Sequence, residues 1–491
     1  MSYDDKTKRY VRGGYNSMGK GKAVAGAVVL GLVLGMSWWA GVQSQSVEQA
    51  PVAPPMKQAS RIYLNREPVE NFPEKPVVSS RYTAEHPAVG HPVLQWSRID
   101  GAVMYDVQIL TKKEMVNSDG SIADEYYEPV MPVQRVYTNG CELELPHTFT
   151  GQVFYWRVRG MGLRGEAVSK FSDLEAAHVD LYASYTEKPT LLSEYNNGNG
   201  HVLLYPVYDW LAVPGAASYE VEILNDVPED PNGTAPSIHR IDAYTPAYAQ
   251  QYDDKPRMSA EPFYWRVRAI AEDGSPLGVY SDAQPFVTNP AANYGVAIYG
   301  DSISHGGGSI SYSPTDWEFS YANYLSFPTV NLSHSGDTSH STNERFENDV
   351  LPFHPRYLLI LMGSNSLREG TPAVDVIADM KSVKEKCLKN GILPVFLTVP
   401  PVNPDNIEKA WSQPTVWDWQ SQIELVNEYV KSQVHIDITP GLADEKGYLK
   451  TELALDGLHL DPPGKKLMGE AINAAWPSIT ALPAAVWTEK E

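Results

Sequence analysis

The chain has 491 residues, of which 43% are hydrophobic and 20% charged, and its formal net charge at pH 7 is −21. A hydrophobic fraction of this size is typical of packed domains and excludes a wholly disordered chain, and the length predicts several domains. A strongly acidic surface repels phosphate backbones and anionic headgroups, so nucleic acid is not expected as a partner of the folded part.

The N-terminal segment, residues 1–42, is predicted to be a basic cytoplasmic stretch followed by a signal-anchor helix. Lysines and arginines precede an uncharged apolar run, residues 23–42, which is about as long as a helix that crosses hydrocarbon. The charges lie only before the run, which predicts a single-pass cell-membrane protein with its C-terminal domains outside the cytoplasm. The alternative is a cleaved signal peptide and a secreted product. Trp38 and Trp39 near the end of the run favour the uncleaved anchor.

One face of this predicted helix carries only small residues, because Ala23, Ala27, Gly31 and Gly35 recur at every fourth position. Such faces pair helices within membranes, which suggests a homodimer. Small residues are also common in export segments, so both interpretations stay open. Residues 43–91 are polar and rich in proline, with no sustained apolar period. They are predicted to form a semi-stiff linker.

An internal repeat follows, with one copy in residues 92–184 and the other in residues 185–290. The first copy contains LQWSRIDGAVMYDVQIL and FYWRVRG, and the second contains YDWLAVPGAASYEVEIL and FYWRVRA. Apolar and polar residues alternate in these segments, as half-buried strands require. Each copy is therefore expected to be an antiparallel β-sandwich.

The two copies resemble fibronectin type III modules, in which a tryptophan of this kind is a core residue. The resemblance implies spacers or binding modules. The repeated tryptophans are Trp96, Trp156, Trp210 and Trp265. We expect them to be buried in the core, and the alternative interpretation is a platform on which sugar rings stack.

The pattern changes after Pro290 into strand–helix alternation. GVAIYG, YLLILMG and LPVFLTV are nearly continuous apolar runs, typical of strands covered on both faces. A helix between the last two is expected to end at Gly391. Its predicted apolar stripe comprises Val374, Ile377, Met380, Val383 and Cys387, and that of a second helix comprises Ile423, Val426 and Val430. Residues 291–491 are thus predicted to be a three-layer α/β domain around a parallel sheet, with ligands at the carboxyl ends of its strands.

The segment AIYGDSISHGGG, residues 297–308, follows the first of these strands. A phosphate-binding loop would need a lysine followed by serine or threonine after its glycines, and none is present. An ordinary turn and an exposed nucleophile, Ser302, remain as interpretations. A serine nucleophile requires a base, a group that orients the base, and donors for an oxyanion.

Candidates for these roles occur further along the chain. In LALDGLHLDPPGKK a bend at Gly457 would fold Asp456 back onto His459 and hold the imidazole proton on one nitrogen. Gly336, in VNLSHSGDTS, can offer a backbone N–H, and Asn365, in LILMGSNSLREG, can offer its amide. Each motif alone is more often an ordinary polar loop.

Together these blocks resemble the SGNH (GDSL-type) hydrolase family over about residues 293–476, which implies a flavodoxin-like sheet. The resemblance implies Ser302 as nucleophile, His459 as base and Asp456 as its orienting group. It implies an oxyanion hole formed by the N–H groups of Ser302 and Gly336 and the side chain of Asn365. The chain departs from the family pattern at Ile303, where leucine is usual, and at Ser366, where aspartate is common.

No cofactor and no metal are expected, because serine esterase chemistry needs neither. His305, His334 and His340 cluster in the first two of these loops without the spacing of a known metal motif. They are expected to line the cleft or to be polar loop residues. Arg368 and Glu369 are interpreted as solvated charges, with contact to a polar substrate as the alternative. Cys141 and Cys387 fall in different predicted domains, so no disulfide between them is expected.

The sequence therefore predicts an exported, membrane-tethered serine esterase. Its expected substrates are acylated glycans, with acetyl as the leading acyl group, or other surface and small esters. Two alternatives remain, an acyltransferase that uses the same site and a surface adhesion or scaffold protein with a silent hydrolase domain.

Overall fold

The computed structural model describes residues 61–68, 70–183, 188–193, 202–213, 215–308 and 317–488. The signal-anchor helix predicted at residues 23–42, its small-residue face and the first part of the linker lie outside the described residues. Within the described part of the chain, no helix combines the length and apolarity needed to span a membrane.

The first β-rich unit contains seven strands in two antiparallel sheets. They are β1 Val93–Gln95, β2 Met104–Val116, β3 Ile122–Pro129, β4 Gln134–Val136, β5 Gly140–Glu142, β6 Val153–Met161 and β7 Glu175–His178. The larger sheet has the order β3-β2-β6-β7, with β4 also on β2, and β1 pairs with β5. The two sheets share an apolar core that includes Trp96 and Trp156.

The second β-rich unit repeats this arrangement. Its strands are β9 Val207–Asp209, β10 Ser218–Leu224, β11 Arg240–Tyr244, β12 Gln250–Tyr252, β13 Phe263–Ile270, β14 Pro276–Leu277 and β15 Gln284–Phe286. The order β11-β10-β13-β14, with β15 on β13, forms one antiparallel sheet, and β9 pairs with β12. The long central pair β10–β13 corresponds to the pair β2–β6 of the first unit.

The repeat extends to individual contacts. The hydroxyl of Tyr105 accepts a hydrogen bond from the Ile99 N–H at 3.0 Å, and that of Tyr219 accepts one from the Val213 N–H at 2.9 Å. The four repeated tryptophans are at most 2% exposed. Their predicted core position is confirmed, and a sugar-stacking platform is excluded because the indole rings are not accessible. The fibronectin type III resemblance and the sandwich architecture remain predictions.

The part of the predicted linker that the structure describes, from residue 61, lies against the first β-rich unit. Backbone bridges join it to β3 and β7, for example at Ile62 and Tyr82. The guanidinium of Arg157 on β6 is paired with Glu67 at 2.6 Å. From residue 61 onward the predicted semi-stiff linker is thus packed on this unit, and its Glu67 and Glu70 pair with arginines of β6.

The C-terminal domain is an α/β domain with a parallel sheet, as predicted. Its own strands are β16 Val296–Gly300, β17 Val330–Asn331, β18 Tyr357–Leu361, β19 Leu393–Leu397 and β20 His435–Ile436. Its helices are α1 Ser302–His305, α2 Ser339–Glu344, α3 Phe346–Asp349, α4 Ser364–Arg368, α5 Ala373–Lys389, α6 Pro404–Trp411, α7 Trp419–Lys431, α8 Pro462–Thr480 and α9 Ala484–Thr488. The sheet order is β20-β19-β18-β16-β17, and all these neighbours are parallel.

A sixth strand completes this sheet from an unexpected place in the chain. Strand β8, Val202–Leu203, pairs in parallel with β17 at the edge of the sheet. These residues fall inside the segment 185–290 predicted as the second module. A two-residue strand carries no recognisable period, so this pairing could not be predicted from the sequence.

The helix stripes match the prediction with one exception. Ile423, Val426 and Val430 are buried on α7, and Met380, Val383 and Cys387 are buried on α5. Val374 is 69% exposed, so its assignment to the core was wrong. Each step of three residues falls about 60° short of a full turn, so a stripe built only from such steps drifts off the buried face. The buried residue at this end of the helix is Val376, four residues before Met380.

Candidate active site

Ser302 is the first residue of α1, directly after β16. Gly300 at the end of that strand cannot be larger, because a Cβ there would lie 1.9 Å from the Leu361 carbonyl oxygen of β18. Asp301 caps the helix, since its Oδ1 accepts a hydrogen bond from the Ile303 N–H at 3.0 Å. The chain thus turns sharply from strand to helix and presents Ser302, which is half-buried, at the carboxyl edge of the sheet.

Two buried ionisable groups lie behind this turn. Asp301 is fully buried, and burial raises its pKa to about 6. Lys465 on α8 is also fully buried, and burial lowers its pKa to about 8. Its Nζ donates to the Ile303 carbonyl oxygen at 2.7 Å, which anchors α1 from below. No motif indicated a role for this lysine, which falls in an ordinary amphipathic helix.

Ser302 and His459 lie within hydrogen-bond distance although 157 residues separate them. The Oγ of Ser302 is 2.9 Å from Nε2 of His459, and Nδ1 of His459 is 2.9 Å from Oδ2 of Asp456. Because a carboxylate accepts, Nδ1 carries the proton that it donates to Asp456, which leaves the lone pair of Nε2 facing the hydroxyl. The arrangement can therefore withdraw a proton from Ser302.

The loop between Asp456 and His459 is a tight turn held by the same carboxylate. The Oδ1 of Asp456 accepts from the N–H groups of Leu458 and His459, each at 2.8 Å. The predicted bend at Gly457 is present, with φ of +82°, a conformation that glycine adopts without strain. The centroid of the His459 ring also lies 5.3 Å from that of Trp411, a neighbour that no sequence motif indicated.

The predicted oxyanion donors lie on neighbouring segments. Gly336 and Ser302 each have a backbone N–H with no protein acceptor among the described residues. One amide hydrogen of Asn365, on α4, is donated to the carbonyl oxygen of Asp337 at 2.9 Å. The amide carries two hydrogens, so the second stays available for a ligand. The His334 N–H donates to the Gly300 carbonyl oxygen at 3.0 Å, which joins the Gly336 loop to the end of β16.

Ser366, the departure beside Asn365, has a structural role. Its Oγ accepts from the Ser339 N–H at 2.8 Å, at the first residue of α2. An aspartate at this position would accept the same hydrogen bond. The substitution therefore leaves the connection between α4 and α2 intact, and Asn365 keeps its place.

The three histidines of these loops have separate environments. His305 is buried, with Nε2 donating to the Tyr205 carbonyl oxygen at 2.9 Å, and burial lowers its pKa to about 3. His334 pairs with Asp337, and His340 is exposed beside Glu344. No group of three or more potential metal ligands occurs within the described ranges.

Arg368 is not a solvated charge, so that interpretation was wrong. It is 4% exposed and donates to Gln413 at 3.1 Å, and its backbone carbonyl accepts from Val416. These two contacts join the loop after α6 to α4. The sequence pattern did not predict them, because Arg368 lies in no apolar stripe. Glu369, its neighbour, is exposed. Both cysteines are buried and free.

A parallel α/β sheet whose carboxyl edge presents a serine hydrogen-bonded to a histidine, which is in turn hydrogen-bonded to an aspartate, defines a class, the serine hydrolases of α/β type. The family model described as GDSL-like Lipase/Acylhydrolase family matches residues 298–467, which include all five predicted site residues. The C-terminal domain of this chain is therefore a GDSL-type hydrolase domain, and membership implies ester hydrolysis.

Solved structures with this domain resemble the C-terminal part of the chain. A GDSL-like lipase from Bacteroides thetaiotaomicron is 21% identical, with a TM-score of 0.29, over 37% of this chain and 87% of that one. A lipase/acylhydrolase from Enterococcus faecalis is 17% identical, with a TM-score of 0.30, over 37% and 95%. A psychrotrophic esterase from Pseudoalteromonas sp. is 16% identical, with a TM-score of 0.27, over 38% and 98%. No curated protein matches the chain.

Proposed function

We propose that this protein is an exported, membrane-tethered serine esterase that removes acyl groups, acetyl among them, from a glycan or another cell-surface substrate. The observation that carries the chemistry is the hydrogen-bonded chain from Ser302 through His459 to Asp456. The proposed membrane attachment and export are based on the basic and apolar N-terminal segments. The proposed glycan substrate is based on the placement of the hydrolase domain beyond two β-rich units.

In the proposed reaction the Oγ of Ser302 attacks the ester carbonyl carbon while its proton moves to Nε2 of His459. The carboxylate of Asp456 stabilises the imidazolium that results. The N–H groups of Ser302 and Gly336 and the amide of Asn365 stabilise the negative oxygen of the tetrahedral intermediate.

The intermediate collapses when the bond to the alcohol oxygen breaks and that oxygen takes the proton from His459. Water, deprotonated by Nε2 of the same imidazole, then attacks the acyl carbon; the bond to Oγ of Ser302 breaks, Oγ takes the proton back from His459, and the acid is released.

The test is hydrolysis of 4-nitrophenyl acetate by the purified full chain, with Ser302→Ala and Ser421→Ala as a matched pair. Ser421 is exposed on α7, and its hydroxyl donates to the Asp418 carbonyl oxygen of its own helix start. Ser302→Ala is expected to lose at least about 10³-fold in kcat, and Ser421→Ala is expected to retain wild-type activity. Fluorophosphonate labelling followed by mass spectrometry should place the adduct on Ser302. Equal activity of the two variants would refute the proposal.

The substrate is tested separately, by release of acetate from an acetylated glycan. An added glycan acceptor that becomes acylated instead would identify an acyltransferase with the same nucleophile. Recovery of the full chain in the membrane fraction after alkaline washing is expected for an uncleaved anchor, and a soluble product that begins after residue 42 would refute the tether.

A further inference from the structure

Arg345 lies between α2 and α3, and its side chain is 12% exposed. The guanidinium reaches four acceptors from four parts of the domain. Nη2 donates to the Gly300 carbonyl oxygen at 3.0 Å, and Nη1 donates to the Leu332 carbonyl oxygen and to Asp349 at 2.8 Å. Nε donates to Oδ2 of Asp337. Its planar group also lies over the Tyr299 ring, at 4.3 Å from the centroid.

Two of these contacts, those to Gly300 and Asp337, lead to the predicted oxyanion donors. Gly300 stands two residues before Ser302, at the end of β16. Asp337 follows Gly336 directly, so fixing its side chain fixes the neighbouring N–H. The carbonyl oxygen of Asp337 is also the acceptor for Asn365. One guanidinium thus connects the segments that carry all three donors.

The geometry requires an arginine. A guanidinium offers five N–H donors in a rigid plane, whereas a lysine ammonium offers three donors around a single point. A lysine at position 345 would keep the positive charge between Asp337 and Asp349, but it cannot reach carbonyl oxygens on both sides. The loop of Gly336 and the end of β16 would then be free to shift relative to each other.

We propose that Arg345 is a positioning residue for the oxyanion hole. It sets the distances among the three donors, which are the N–H groups of Ser302 and Gly336 and the amide of Asn365. This inference rests on the proposed function, because the hole matters only if Ser302 attacks a carbonyl. Displacement of a donor by about 1 Å is enough to cost on the order of 100-fold in rate.

The experiment compares wild type with Arg345→Lys in the full chain. The concentration of functional sites is titrated first with a fluorophosphonate, and kcat is expressed per titrated site. We expect kcat per site to fall by about 10- to 100-fold, with KM changed by less than about threefold. The Ki of an alkyl boronic acid, whose tetrahedral adduct places an oxygen in the hole, should rise by a factor similar to the fall in kcat.

Tyr205→Phe is the matched control. The Tyr205 hydroxyl donates to Asp349 at 2.7 Å, so this variant disturbs the same buried cluster but leaves the contacts to Gly300, Leu332 and Asp337 in place. It is expected to lower the unfolding midpoint and to keep kcat per site. If Arg345→Lys also keeps kcat per site, or if both variants lose it equally, the positioning role is overturned.

Asp337→Asn decides the question if Arg345→Lys does not fold. It removes one charge from the cluster while Asp349 still pairs with Arg345. Both kcat per site and boronic acid affinity should fall, and unchanged values would refute the proposal. A wild-type protein that neither hydrolyses esters nor reacts at Ser302 would instead overturn the proposed function.

Discussion

Asn365 serves both the fold and the proposed chemistry with one amide group. One of its hydrogens is donated to Asp337, and the residue is 9% exposed, so its orientation is fixed. We expect Asn365→Ala to lower kcat by about 10²- to 10³-fold, as loss of one oxyanion donor does elsewhere. Steady-state kinetics on 4-nitrophenyl acetate would measure the loss.

Two further variants isolate the donor. Asn365→Asp keeps the size of the side chain but replaces its N–H groups with an acceptor, so it should lose as much activity as the alanine variant. Asn343→Ala removes an amide that donates to Asp379 on α5 and should keep wild-type kcat. Full activity in Asn365→Asp would show that the amide is not an oxyanion donor.

Asp301 is expected to make stability depend on pH. Burial raises its pKa from an ordinary value of 3.8 to about 6, so the folded state binds a proton more tightly than the unfolded state. Stability from this group is complete below about pH 4 and is lost as the pH rises through 6, by on the order of 2–3 kcal/mol. Nearby Asp337 raises this pKa, and His459 and Lys465 lower it.

The measurement is urea unfolding of Asp301→Asn and wild type at pH 5 and at pH 7.5. Asparagine also caps helices, so the variant keeps the acceptor for the Ile303 N–H. The free energy of unfolding of the variant, relative to that of wild type, should be higher at pH 7.5 than at pH 5. An equal difference at both pH values would mean that Asp301 does not titrate in this range. Asp273→Asn, at an exposed turn, is the control.

At the scale of elements, the contact of β16 with β18 decides whether the nucleophile turn can form. A methyl group at position 300 would overlap the Leu361 carbonyl oxygen, so Gly300→Ala must separate the two strands. We expect a loss of at least about 3 kcal/mol in the free energy of unfolding, or no soluble protein. Gly295→Ala is the matched control, because its Cβ would contact nothing within 4 Å. Similar stability of the two variants would refute the prediction.

The elements of the C-terminal domain were predictable because their signals are local. Apolar runs indicated β16, β18 and β19, and Asp456 and His459 are close in sequence, so a turn was enough to relate them. Arg345, Lys465 and Tyr205 were missed, since each acts through contacts that join distant segments. No period or spacing encodes such contacts, and a charged side chain such as that of Arg345 or Lys465 is more often solvated than buried.

At the scale of the whole molecule, the first β-rich unit packs against the hydrolase domain. Met104, Met161 and Leu163 form an apolar cluster with Phe319, and Leu455 packs against it. Arg98 donates to Glu318 at 3.0 Å beside this cluster. Leu455 directly precedes Asp456, so the contact supports the loop that orients His459. The hydrolase domain is thus in packed contact with the first β-rich unit and is not joined to it by a flexible linker alone.

Met104→Glu is expected to weaken this contact, because it places an unpaired carboxylate in an apolar cluster. Met104 is 6% exposed, whereas Met115 on the same strand is 44% exposed, which makes Met115→Glu the matched control. Met104→Glu should lower the free energy of unfolding by about 2–3 kcal/mol and increase cleavage between the units by trypsin. The contact is unimportant if the two variants behave alike.

Strand β8 changes how the second β-rich unit should be regarded. The chain leaves the hydrolase sheet after Leu203, forms strands β9–β15 of that unit and returns at Thr288, whose hydroxyl donates to the Leu203 carbonyl oxygen at 2.9 Å. Strands β9–β15 are thus inserted between two attachments to the hydrolase sheet, while Leu191, which precedes β8, also pairs with Trp210 of this unit. An enzyme that began at residue 291 would lack β8, the outer strand of its sheet. Strand β17 would then be an open edge, which is a template for aggregation by strand pairing.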